Sequence, residues 1–452
     1  MNNPKTTVYI PCYNYGRFLK EATESVLRQS CDNWELLIID DASSDNTQDV
    51  MNLYKGDSRI RLFTVDGIGL PAVCNFALRE ARGDYLIRLD ADDIFEENIL
   101  LVLSNYLDRN PECAMVFPDY YLIDENNEIY AHERTQKVFE QNHVFDNAPN
   151  GACCLIRKSA LEDLGGYRED LGAQDGFDLW RKVLKKYKPG NVNIPLFYYR
   201  RHSENLTNQA NRIVLARQQL KLENVIDQLD KFRPITAVIP CRRNYDFCED
   251  LWREDIVGKS LLERALEKVT RSSIVDKVIV PSDNPEVKKV LSRYSDERLV
   301  YFERKPENTL RSVPLTRTLG RVAESIDFRG IMVIVYLQTP FVTTQTIEEA
   351  IYTLILNEAD CSVGVEEIRE PLYKRAANGL QAINPPKGIS TDFDLVYRDV
   401  GTALATKTGN LRAGSLYGPR TVKFIVSREQ SFVINSDQSL RIAAIMSENA
   451  KI

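Results

Sequence analysis

The feature that most constrains the fold is a short apolar run that ends in Ile-Pro-Cys and occurs twice, at residues 7–12 and 235–241. Each run is followed by a polar loop and then by alternating helical and strand-like segments. In the first half, we expect an amphipathic helix over residues 17–29 and a strand covered on both faces over residues 35–39. Alternation of this kind predicts a parallel sheet wound by helices.

The restart of the pattern predicts α/β architecture in two tandem Rossmann-like domains with mixed sheets. Residues 209–230 read as one long polar helix, which Pro234 ends. We therefore expect a first domain over residues 1–208, a helical linker over 209–233 and a second domain over 234–452. A chain of 452 residues has room for two or three domains.

Charge and composition exclude several classes of function. Lys and Arg number 58 and Asp and Glu number 65, so the net charge of −7 argues against a nucleic-acid partner. No apolar run approaches the ~20 residues of a membrane-spanning helix, and no secretory signal is visible. Nine Cys without a CxxC pair do not form a zinc or disulfide framework. We therefore predict a cytoplasmic protein without a transmembrane segment.

Acidic residues follow the predicted strands of the first half. Asp41 comes directly after one strand, and Asp90 and Asp92 follow another in the sequence RLDADD. Any one of these groups alone is typical of a solvated turn or a helix cap. Ligands of parallel sheets bind beyond the carboxyl ends of the strands. Several carboxylates at that edge therefore favour a ligand site.

The chemistry that suits such a site is transfer from a nucleotide-diphosphate carrier. Carboxylates alone would repel a diphosphate, but Mg²⁺ or Mn²⁺ held by Asp oxygens reverses the local charge. The metal then stabilises charge on the leaving oxygen. Asp90 and Asp92 have the DxD spacing and are the predicted metal ligands, with Asp92 the principal one.

Three segments of the first half, VYIPCYNYGRF, RGDYLIRLDADD and AQDGFDLWRK, resemble family-2 glycosyltransferases of the GT-A fold. The resemblance runs in order over residues 6–205. It implies that Pro11 and Tyr13 form part of the nucleotide pocket and that Asp41 hydrogen-bonds the base. It also places Asp90 near the ribose and diphosphate, and Asn75 on a helix that contacts the donor.

The same resemblance implies that Asp175 is the general base, a carboxylate that removes a proton from the acceptor hydroxyl. Asp178 is the alternative, although its position favours a helix cap. Arg200, Arg201 and His202 match a loop that lies over the donor diphosphate in the resembling enzymes. His202 is accordingly a predicted nucleotide-sugar-binding residue, with an ordinary loop histidine as the alternative.

The second half resembles acylneuraminate cytidylyltransferases, which have a nucleotidyltransferase fold, in segments such as AVIPCRRNYDF and DKVIVPSDNPEV. Arg242 and Lys259 are its predicted nucleotide-binding residues. Asp246 stands where the resembling enzymes have a phosphate-facing Lys, and Asn435 stands where they have a metal carboxylate. We therefore predict a degenerate domain without cytidylyl transfer, with an altered nucleotidyltransferase that also uses Asp437 as the alternative.

Taken together, the sequence predicts a metal-dependent inverting glycosyltransferase that uses a nucleotide-diphosphate sugar donor and a glycan or glycoconjugate acceptor. Assembly of a surface polysaccharide or glycoprotein is the expected context, and relatives of the second half favour a homodimer through that domain. Two alternatives remain. One is a bifunctional enzyme that also activates a nonulosonic-acid-type sugar, and the other is a non-catalytic nucleotide-sugar binding protein.

Overall fold

The structure is a computed structural model that describes residues 3–134, 151–171, 175–202, 210–305, 313–325, 330–368, 370–377, 379–385 and 396–449. The chain divides into two compact units. Unit 1 comprises Met1–Arg217 with Pro371–Asp394, and unit 2 comprises Gln218–Glu370 with Leu395–Ile452. The border between the units lies inside the segment predicted as a helical linker.

Unit 1 is built on strands and helices that alternate along most of its length. Its strands are β1 (Thr6–Cys12), β2 (Trp34–Asp41), β3 (Ile60–Val65), β4 (Tyr85–Arg88), β5 (Ile94–Phe95), β6 (Cys113–Ile123), β7 (Ile129–Glu133), β8 (Leu155–Arg157) and β9 (Lys188–Arg200). Its helices are α1 (Gly16–Leu27), α2 (Thr47–Asn52), α3 (Leu70–Glu80), α4 (Ile99–Arg109), α5 (Lys158–Asp163) and α6 (Asp175–Lys186), with a 3₁₀ turn at Gly151–Cys153.

These strands form one mixed sheet in the order β3-β2-β1-β4-β8-β6-β9-β5, with β7 paired to β6. Neighbouring residues of a strand point to opposite faces, and both faces are covered. Val8 of β1 packs with Leu19 of α1 in one hydrophobic cluster. Tyr9 packs with Val73 of α3 and Trp180 of α6 in the other. Burial on both faces explains the continuous apolar runs of the central strands.

Helix α7 (Ala210–Val225), which continues as a 3₁₀ helix over Ile226–Phe232, leads into unit 2. The remaining strands are β10 (Ile235–Val238), β11 (Lys277–Ser282), β12 (Leu299–Glu303), β13 (Ile331–Val335), β14 (Cys361–Ile368), β15 (Tyr373–Ala376), β16 (Gly379–Ala382), β17 (Val396–Lys407) and β18 (Thr421–Ile425). The remaining helices are α8 (Leu261–Thr270), α9 (Pro285–Leu291), α10 (Leu315–Ser325), α11 (Thr344–Leu356), α12 (Thr408–Arg412) and α13 (Asp437–Asn449), with a 3₁₀ turn at Leu251–Arg253.

The sheet of unit 2 has the order β12-β11-β10-β13-β17-β14-β18 and is also mixed. The hairpin β15–β16 forms a separate two-stranded sheet and falls in the part of the chain grouped with unit 1. The fold class predicted from the sequence, two tandem α/β domains with mixed sheets, is confirmed. No helix in the described part of the chain is long and apolar enough to span a membrane.

A buried ion pair fixes the second half of α7 within unit 2. The Nζ of Lys221 donates to Glu349 Oε1 at 3.0 Å and to Thr353 Oγ1 at 2.9 Å, both on α11. The Lys221 side chain is completely buried. Since a buried charge is costly without a partner, this contact requires α7 and α11 to pack in one register.

Candidate active site

Three parallel strands of unit 1 end at one edge of the sheet. β1 pairs with β2 as far as Cys12–Asp40 and with β4 as far as Tyr9–Arg88. Loops that follow the carboxyl ends of such strands converge at a common crevice. The acidic residues singled out in the sequence lie in the loops at this edge.

Arg88, the last residue of β4, joins two of the predicted site residues. Its Nη1 donates to Asp175 Oδ2 at 2.6 Å, and its Nε lies 3.0 Å from Asp90 Oδ1. The Arg88 side chain is only 9% exposed. One buried guanidinium therefore orients carboxylates from two different elements, because its donors are fixed in a planar fork.

The electrostatic environment of Asp90 is unusual for a carboxyl group. Desolvation by burial raises the pKa of Asp90 to about 6, although the Arg88 charge pulls in the opposite direction. The charges of Asp92 and Asp175 add to the rise. Burial also raises the pKa of Asp93 well above its usual range. Repulsion among these carboxylates favours the binding of a cation at the strand end.

Asp92 is bound from two directions. His202 Nε2 lies 2.9 Å from Asp92 Oδ2, and the imidazole is fully buried. The Nε of Arg200 donates to the Asp92 backbone oxygen at 2.7 Å. Arg200 is 1% exposed and also donates to Glu21 Oε2 at 2.7 Å. Arg200 therefore stabilises the turn that contains Asp92 from inside the protein. The resemblance placed Arg200 over the donor diphosphate instead.

The loop after β1 and the end of β2 carry three further predicted residues. Pro11 is half-buried, and the ring of Tyr13 is 59% exposed beside it. Both carboxylate oxygens of Asp41 accept backbone N–H groups, from Ile68 at 2.7 Å and from Gly69 at 2.9 Å. Asp41 therefore shapes the turn that starts α3. Hydrogen bonding to a nucleotide base stays a prediction for it.

Both the nitrogen and the oxygen of the Asn75 side-chain amide form hydrogen bonds within the protein. Its Nδ2 donates to the Tyr167 oxygen at 2.9 Å and to Glu169 Oε1 at 2.7 Å. Its Oδ1 accepts from the Tyr167 N–H at 2.8 Å. These three bonds tie α3 to the loop after α5. The predicted contact of Asn75 with a sugar donor remains a prediction.

The two candidate bases lie on the same helix but have different surroundings. Asp175 is the first residue of α6, and its side chain is 12% exposed beside Arg88. Asp178 is 7% exposed, and its Oδ2 lies 2.9 Å from Lys182 Nζ one turn further along. Asp175 lies at the same sheet edge as Asp90, and this position favours Asp175 over Asp178 as the general base.

The side chains at this edge include possible ligands of a divalent cation. In the described part of the chain, no group of three or more His, Cys, Asp or Glu side chains could hold a metal ion. Asp92 and His202 nevertheless offer an oxygen and a nitrogen 2.9 Å apart, and Mn²⁺ accepts both kinds of ligand. Phosphate oxygens and water commonly complete such a shell. The donor set fits a cation held jointly by protein and ligand.

In unit 2, the predicted nucleotide-binding residues contact other groups of the same unit. The guanidinium carbon of Arg242 lies 4.8 Å from the centroid of the Tyr245 ring, and Tyr245 is 5% exposed. Lys259 Nζ donates to Glu267 Oε2 at 2.7 Å. The backbone N–H of Asn435 donates to Ser439 Oγ at 2.9 Å. Both predicted nucleotide-binding cations of this unit thus have protein partners.

One site residue was missed in the sequence. The sequence patterns above do not single out Arg88, although it is the charged residue of an otherwise apolar run, YLIRL. An arginine inside a buried strand requires a nearby anion. Its presence immediately before the DxD residues was the available signal.

Comparisons with known proteins show which families the two α/β units are similar to. Residues 7–165 match the family model "Glycosyl transferase family 2", and residues 254–388 match the model "Cytidylyltransferase". The first half is therefore similar to family-2 glycosyltransferases and part of the second half is similar to cytidylyltransferases, in line with the two resemblances seen in the sequence.

Several curated proteins are similar to the first half. An uncharacterized glycosyltransferase of Rickettsia felis is 32% identical over 210 residues, which cover 43% of this chain and 32% of the relative. The Escherichia coli enzyme UDP-Glc:alpha-D-GlcNAc-diphosphoundecaprenol beta-1,3-glucosyltransferase WfgD is 29% identical over 194 residues, covering 43% of this chain and 75% of the relative. The chain thus spans about a third of the length of the Rickettsia felis relative.

Solved structures also align with about half of the chain. S. aureus TarS 1–349 in complex with UDP-GlcNAc aligns with a TM-score of 0.41 at 16% identity, covering 49% of this chain and 66% of that one. The mannosyltransferase PcManGT from Pyrobaculum calidifontis, in complex with GDP-Man and Mn²⁺, aligns with a TM-score of 0.40 at 18% identity, covering 50% and 66%.

Proposed function

We propose that unit 1 is a metal-dependent inverting glycosyltransferase that moves a sugar from a nucleotide-diphosphate donor to an acceptor hydroxyl. The observation that carries the proposal is the cluster at one sheet edge, in which Arg88 holds Asp90 and Asp175 while His202 holds Asp92. A donor-side acid pair and a separate carboxylate for the acceptor are what such a transfer requires.

On the donor side, Asp92 and His202 would hold Mn²⁺ or Mg²⁺, with Asp90 as the adjacent carboxylate. When bound, the cation stabilises the negative charge that develops on the diphosphate leaving group. The exposed ring of Tyr13, beside Pro11, offers a surface on which a nucleotide base stacks. Asp41 and the N–H groups it fixes shape the neighbouring turn.

On the acceptor side, Asp175 removes the proton from the attacking hydroxyl. Its Oδ2 is taken by Arg88 at 2.6 Å, so Oδ1 is the oxygen left to accept the proton. The hydroxyl oxygen then bonds to the anomeric carbon as the bond to the diphosphate breaks, which inverts that carbon. Arg88 is a positioning residue in this scheme, because it orients the base without touching the reacting atoms.

The printed name of one relative supports a proposal for the donor and acceptor classes. The Escherichia coli relative is named for a UDP-glucose donor and a lipid-diphosphate-linked N-acetylglucosamine acceptor. We propose a donor of the same general class and a glycan or glycoconjugate acceptor, in surface polysaccharide assembly at the cytoplasmic side. A homodimer through the second domain remains part of this proposal.

Release of nucleotide from sugar donors tests the proposal. The full chain is incubated with UDP-glucose, UDP-GlcNAc, GDP-mannose, a dTDP-sugar and a CMP-sugar, each with Mn²⁺ or with EDTA. We expect Mn²⁺-dependent nucleotide release from at least one donor, and loss of that release in Asp92→Asn. If no donor releases nucleotide, or if Asp92→Asn is as active as wild type, unit 1 does not have this function.

A second candidate is a bifunctional enzyme whose unit 2 also transfers cytidylyl groups to a nonulosonic-acid-type sugar. The family match over residues 254–388 favours it. The contacts of Lys259 with Glu267 and of Arg242 with Tyr245 oppose it, because a triphosphate needs cations that are not already paired. We propose that unit 2 lacks this activity. Pyrophosphate release from CTP in the presence of a nonulosonic acid would establish the bifunctional alternative instead.

The remaining alternative is a protein that binds nucleotide-sugars without reacting them. A base held in place by a buried arginine has no use in a purely binding protein, so the Arg88–Asp175 contact supports catalysis. Tight donor binding without nucleotide release, in the presence of Mn²⁺ and an acceptor panel, would favour the binding protein.

A further inference from the structure

One lysine of unit 2 lines a small cleft between α8 and the residues that follow β13. The empty space of this cleft, open solvent included, is about 200 Å³. Arg264 and Lys268 of α8 line one side, and Thr339 and Pro340 line the other. Lys268 is half-buried there. These residues belong to unit 2 and have no part in the sugar transfer proposed for unit 1.

The amine of Lys268 is held by a backbone oxygen and not by a carboxylate. Its Nζ donates a hydrogen bond to the Pro340 backbone oxygen. Within the described ranges of the chain, Lys268 forms no ion pair with an acidic residue. Glu267, the preceding residue, is bonded instead to Lys259 at 2.7 Å and to Arg271. A backbone oxygen accepts from a neutral amine as well as from an ammonium group, so this contact does not require a charge on Lys268.

Arg264 brings a positive charge to the same side of the cleft. It lies four residues before Lys268, and residues at this spacing are neighbours on a helix surface. Its Nε donates to the Ile256 backbone oxygen at 3.1 Å, and its Nη2 donates to the same oxygen. In the part of the chain that the structure describes, no carboxylate pairs with Arg264. A guanidinium without an acidic partner disfavours a second cation beside it and favours an anion.

Burial and charge together favour the neutral form of the Lys268 amine. Desolvation lowers the pKa of Lys268 from 10.5 to about 7, and the Arg264 charge adds to the lowering, while Glu267 opposes it. Burial raises the pKa of Tyr336, which also lines the cleft, so this phenol is neutral at pH 7. Glu348 of α11 accepts a hydrogen bond from a serine at 2.7 Å. At pH 7 the neutral fraction of Lys268 therefore exceeds that of an ordinary lysine by on the order of 10³-fold.

We propose that Lys268 is a carbamate-forming site, at which the amine takes up carbon dioxide and Arg264 holds the product. The lone pair of the neutral Nζ forms a bond to the carbon of CO₂, and one C=O π pair moves onto an oxygen. One N–H proton leaves to solvent, so the amine and CO₂ become a carbamate anion and a proton. The remaining N–H still reaches the Pro340 oxygen, and the new carboxylate oxygens accept from the Arg264 guanidinium.

The size and charge of the cleft favour this small electrophile over larger or charged ligands. Carbon dioxide adds three heavy atoms, whereas the pocket of a drug-sized ligand measures about 300 to 1,000 Å³. A preformed anion such as phosphate needs both cations charged, but about half of Lys268 is neutral at pH 7. Carbon dioxide is neutral when it enters and becomes anionic only after it has bonded beside Arg264.

Carbon-13 NMR tests the site directly. The full chain is equilibrated with ¹³C-labelled CO₂ and bicarbonate at fixed CO₂ pressure, and a carbamate carbon gives a signal separate from both. We expect a signal from Lys268 that rises as the pH increases from about 6 to about 8, because the neutral amine becomes more abundant as the pH passes its pKa. Trapping with a trialkyloxonium reagent, followed by peptide mass spectrometry, should locate the carbamate at Lys268.

Matched variants assign the signal. Lys268→Arg keeps a donor for the Pro340 oxygen but lacks a nucleophilic amine, so the Lys268 signal should disappear. Lys289→Arg is the control and should leave that signal unchanged, because Lys289 is an exposed lysine that pairs with Glu286 at 2.6 Å. The α-amino terminus of the chain, with an ordinary pKa of about 8, should give a second signal that is the same in both variants.

Arg264→Gln separates a held carbamate from a merely reactive amine. Loss of the guanidinium removes charge-assisted hydrogen bonds and lets the amine keep its proton, so carbamate occupancy should fall about tenfold. Circular dichroism checks that this variant is folded. The inference is overturned if no carbamate forms at Lys268 in wild type, if the signal survives in Lys268→Arg, or if Arg264→Gln leaves the occupancy unchanged. Bicarbonate that shifts protein resonances without a carbamate signal would also overturn it, since that is binding of an anion.

Discussion

The same three residues, Ile-Pro-Cys, end β1 in unit 1 and directly follow β10 in unit 2, but the loops that come next differ. In unit 1 the ring of Tyr13 is 59% exposed, whereas in unit 2 Tyr245 is 5% exposed and lies under Arg242. The tyrosine of the unit 1 loop is therefore exposed to solvent, whereas the tyrosine of the unit 2 loop is packed inside its unit. The shared frame therefore does not determine the chemistry of the edge.

The partners of the charged residues also differ between the two units. In unit 1, Arg88 and His202 hold carboxylates that point into the crevice. In unit 2, Lys259 is bound to Glu267, and the best-buried ion pair, between Lys221 and Glu349, joins two helices. The ion pairs of Arg88 and His202 thus lie at the candidate site of unit 1, while the pair between Lys221 and Glu349 stabilises helix packing in unit 2. Each prediction below tests this division.

The largest effect is expected from Asp175→Asn. Asparagine keeps the shape and can still hydrogen-bond Arg88, but it cannot accept a proton, so the transfer rate should fall about 10²- to 10⁴-fold. Donor binding should be nearly unchanged. The measurement is steady-state kinetics with the donor that gives nucleotide release.

Asp178→Asn is the matched control for Asp175→Asn, because both residues lie on α6. Asp178 bonds to Lys182, so its loss should lower stability and leave the transfer rate within about threefold. A larger loss of rate in Asp178→Asn than in Asp175→Asn would identify Asp178 as the base.

The next largest effect concerns Arg88→Met. Removing the guanidinium leaves Asp90 and Asp175 facing each other without a cation, so the free energy of unfolding should fall by about 3 kcal/mol. Arg88→Lys restores the charge but not the planar fork, and should recover stability more fully than transfer rate. The measurements are urea unfolding and steady-state kinetics of both variants. If Arg88→Lys recovers stability and transfer rate to the same extent, Arg88 does not orient the carboxylates.

A smaller effect is expected from pH. The folded-state pKa of Asp90, about 6, exceeds its ordinary value of 3.8, so the folded protein binds this proton more tightly than the unfolded chain. The free energy of unfolding should therefore fall as the pH rises from about 4 to about 6, by about 1 to 3 kcal/mol. Urea unfolding in EDTA at several pH values measures the slope, and Asp90→Asn should flatten it. An unchanged slope in that variant would assign the effect to other groups.

The smallest effect is expected in unit 2. The double variant Arg242→Ala, Lys259→Ala should keep sugar transfer within about twofold of wild type, because both residues lie in unit 2, outside the proposed site. Neither wild type nor the double variant should release pyrophosphate from CTP. CTP-dependent pyrophosphate release that disappears in the double variant would show that the two edges are both active.

Much of the fold follows from local sequence patterns. The strand expected over residues 35–39 lies within β2 (Trp34–Asp41), and the helix expected over residues 17–29 is α1 (Gly16–Leu27). Both depend on apolar spacing, which is set locally. By contrast, Leu215 is an apolar residue of α7 and is nevertheless 59% exposed. The sequence showed which residues of that helix are apolar, but not which side would be covered.

The sequence predicted which residue types form the candidate site, but it did not predict which of them are in contact. Strand ends placed Asp90 and Asp92 at one edge, because parallel strands share that edge. The contact of Arg88 with Asp175 spans 87 residues, and that of His202 with Asp92 spans 110. Such pairings depend on how α6 and the end of β9 return to the sheet, which no local pattern records.

The most direct test of the account is calorimetric titration of UDP and of GDP into the full chain, with and without Mn²⁺. Wild type should bind at least one of these diphosphates only when Mn²⁺ is present, and Asp92→Ala should lose that dependence while keeping its fold. Binding of equal strength with EDTA, or undiminished Mn²⁺-dependent binding in Asp92→Ala, would contradict the claim that Asp92 holds a cation against a diphosphate.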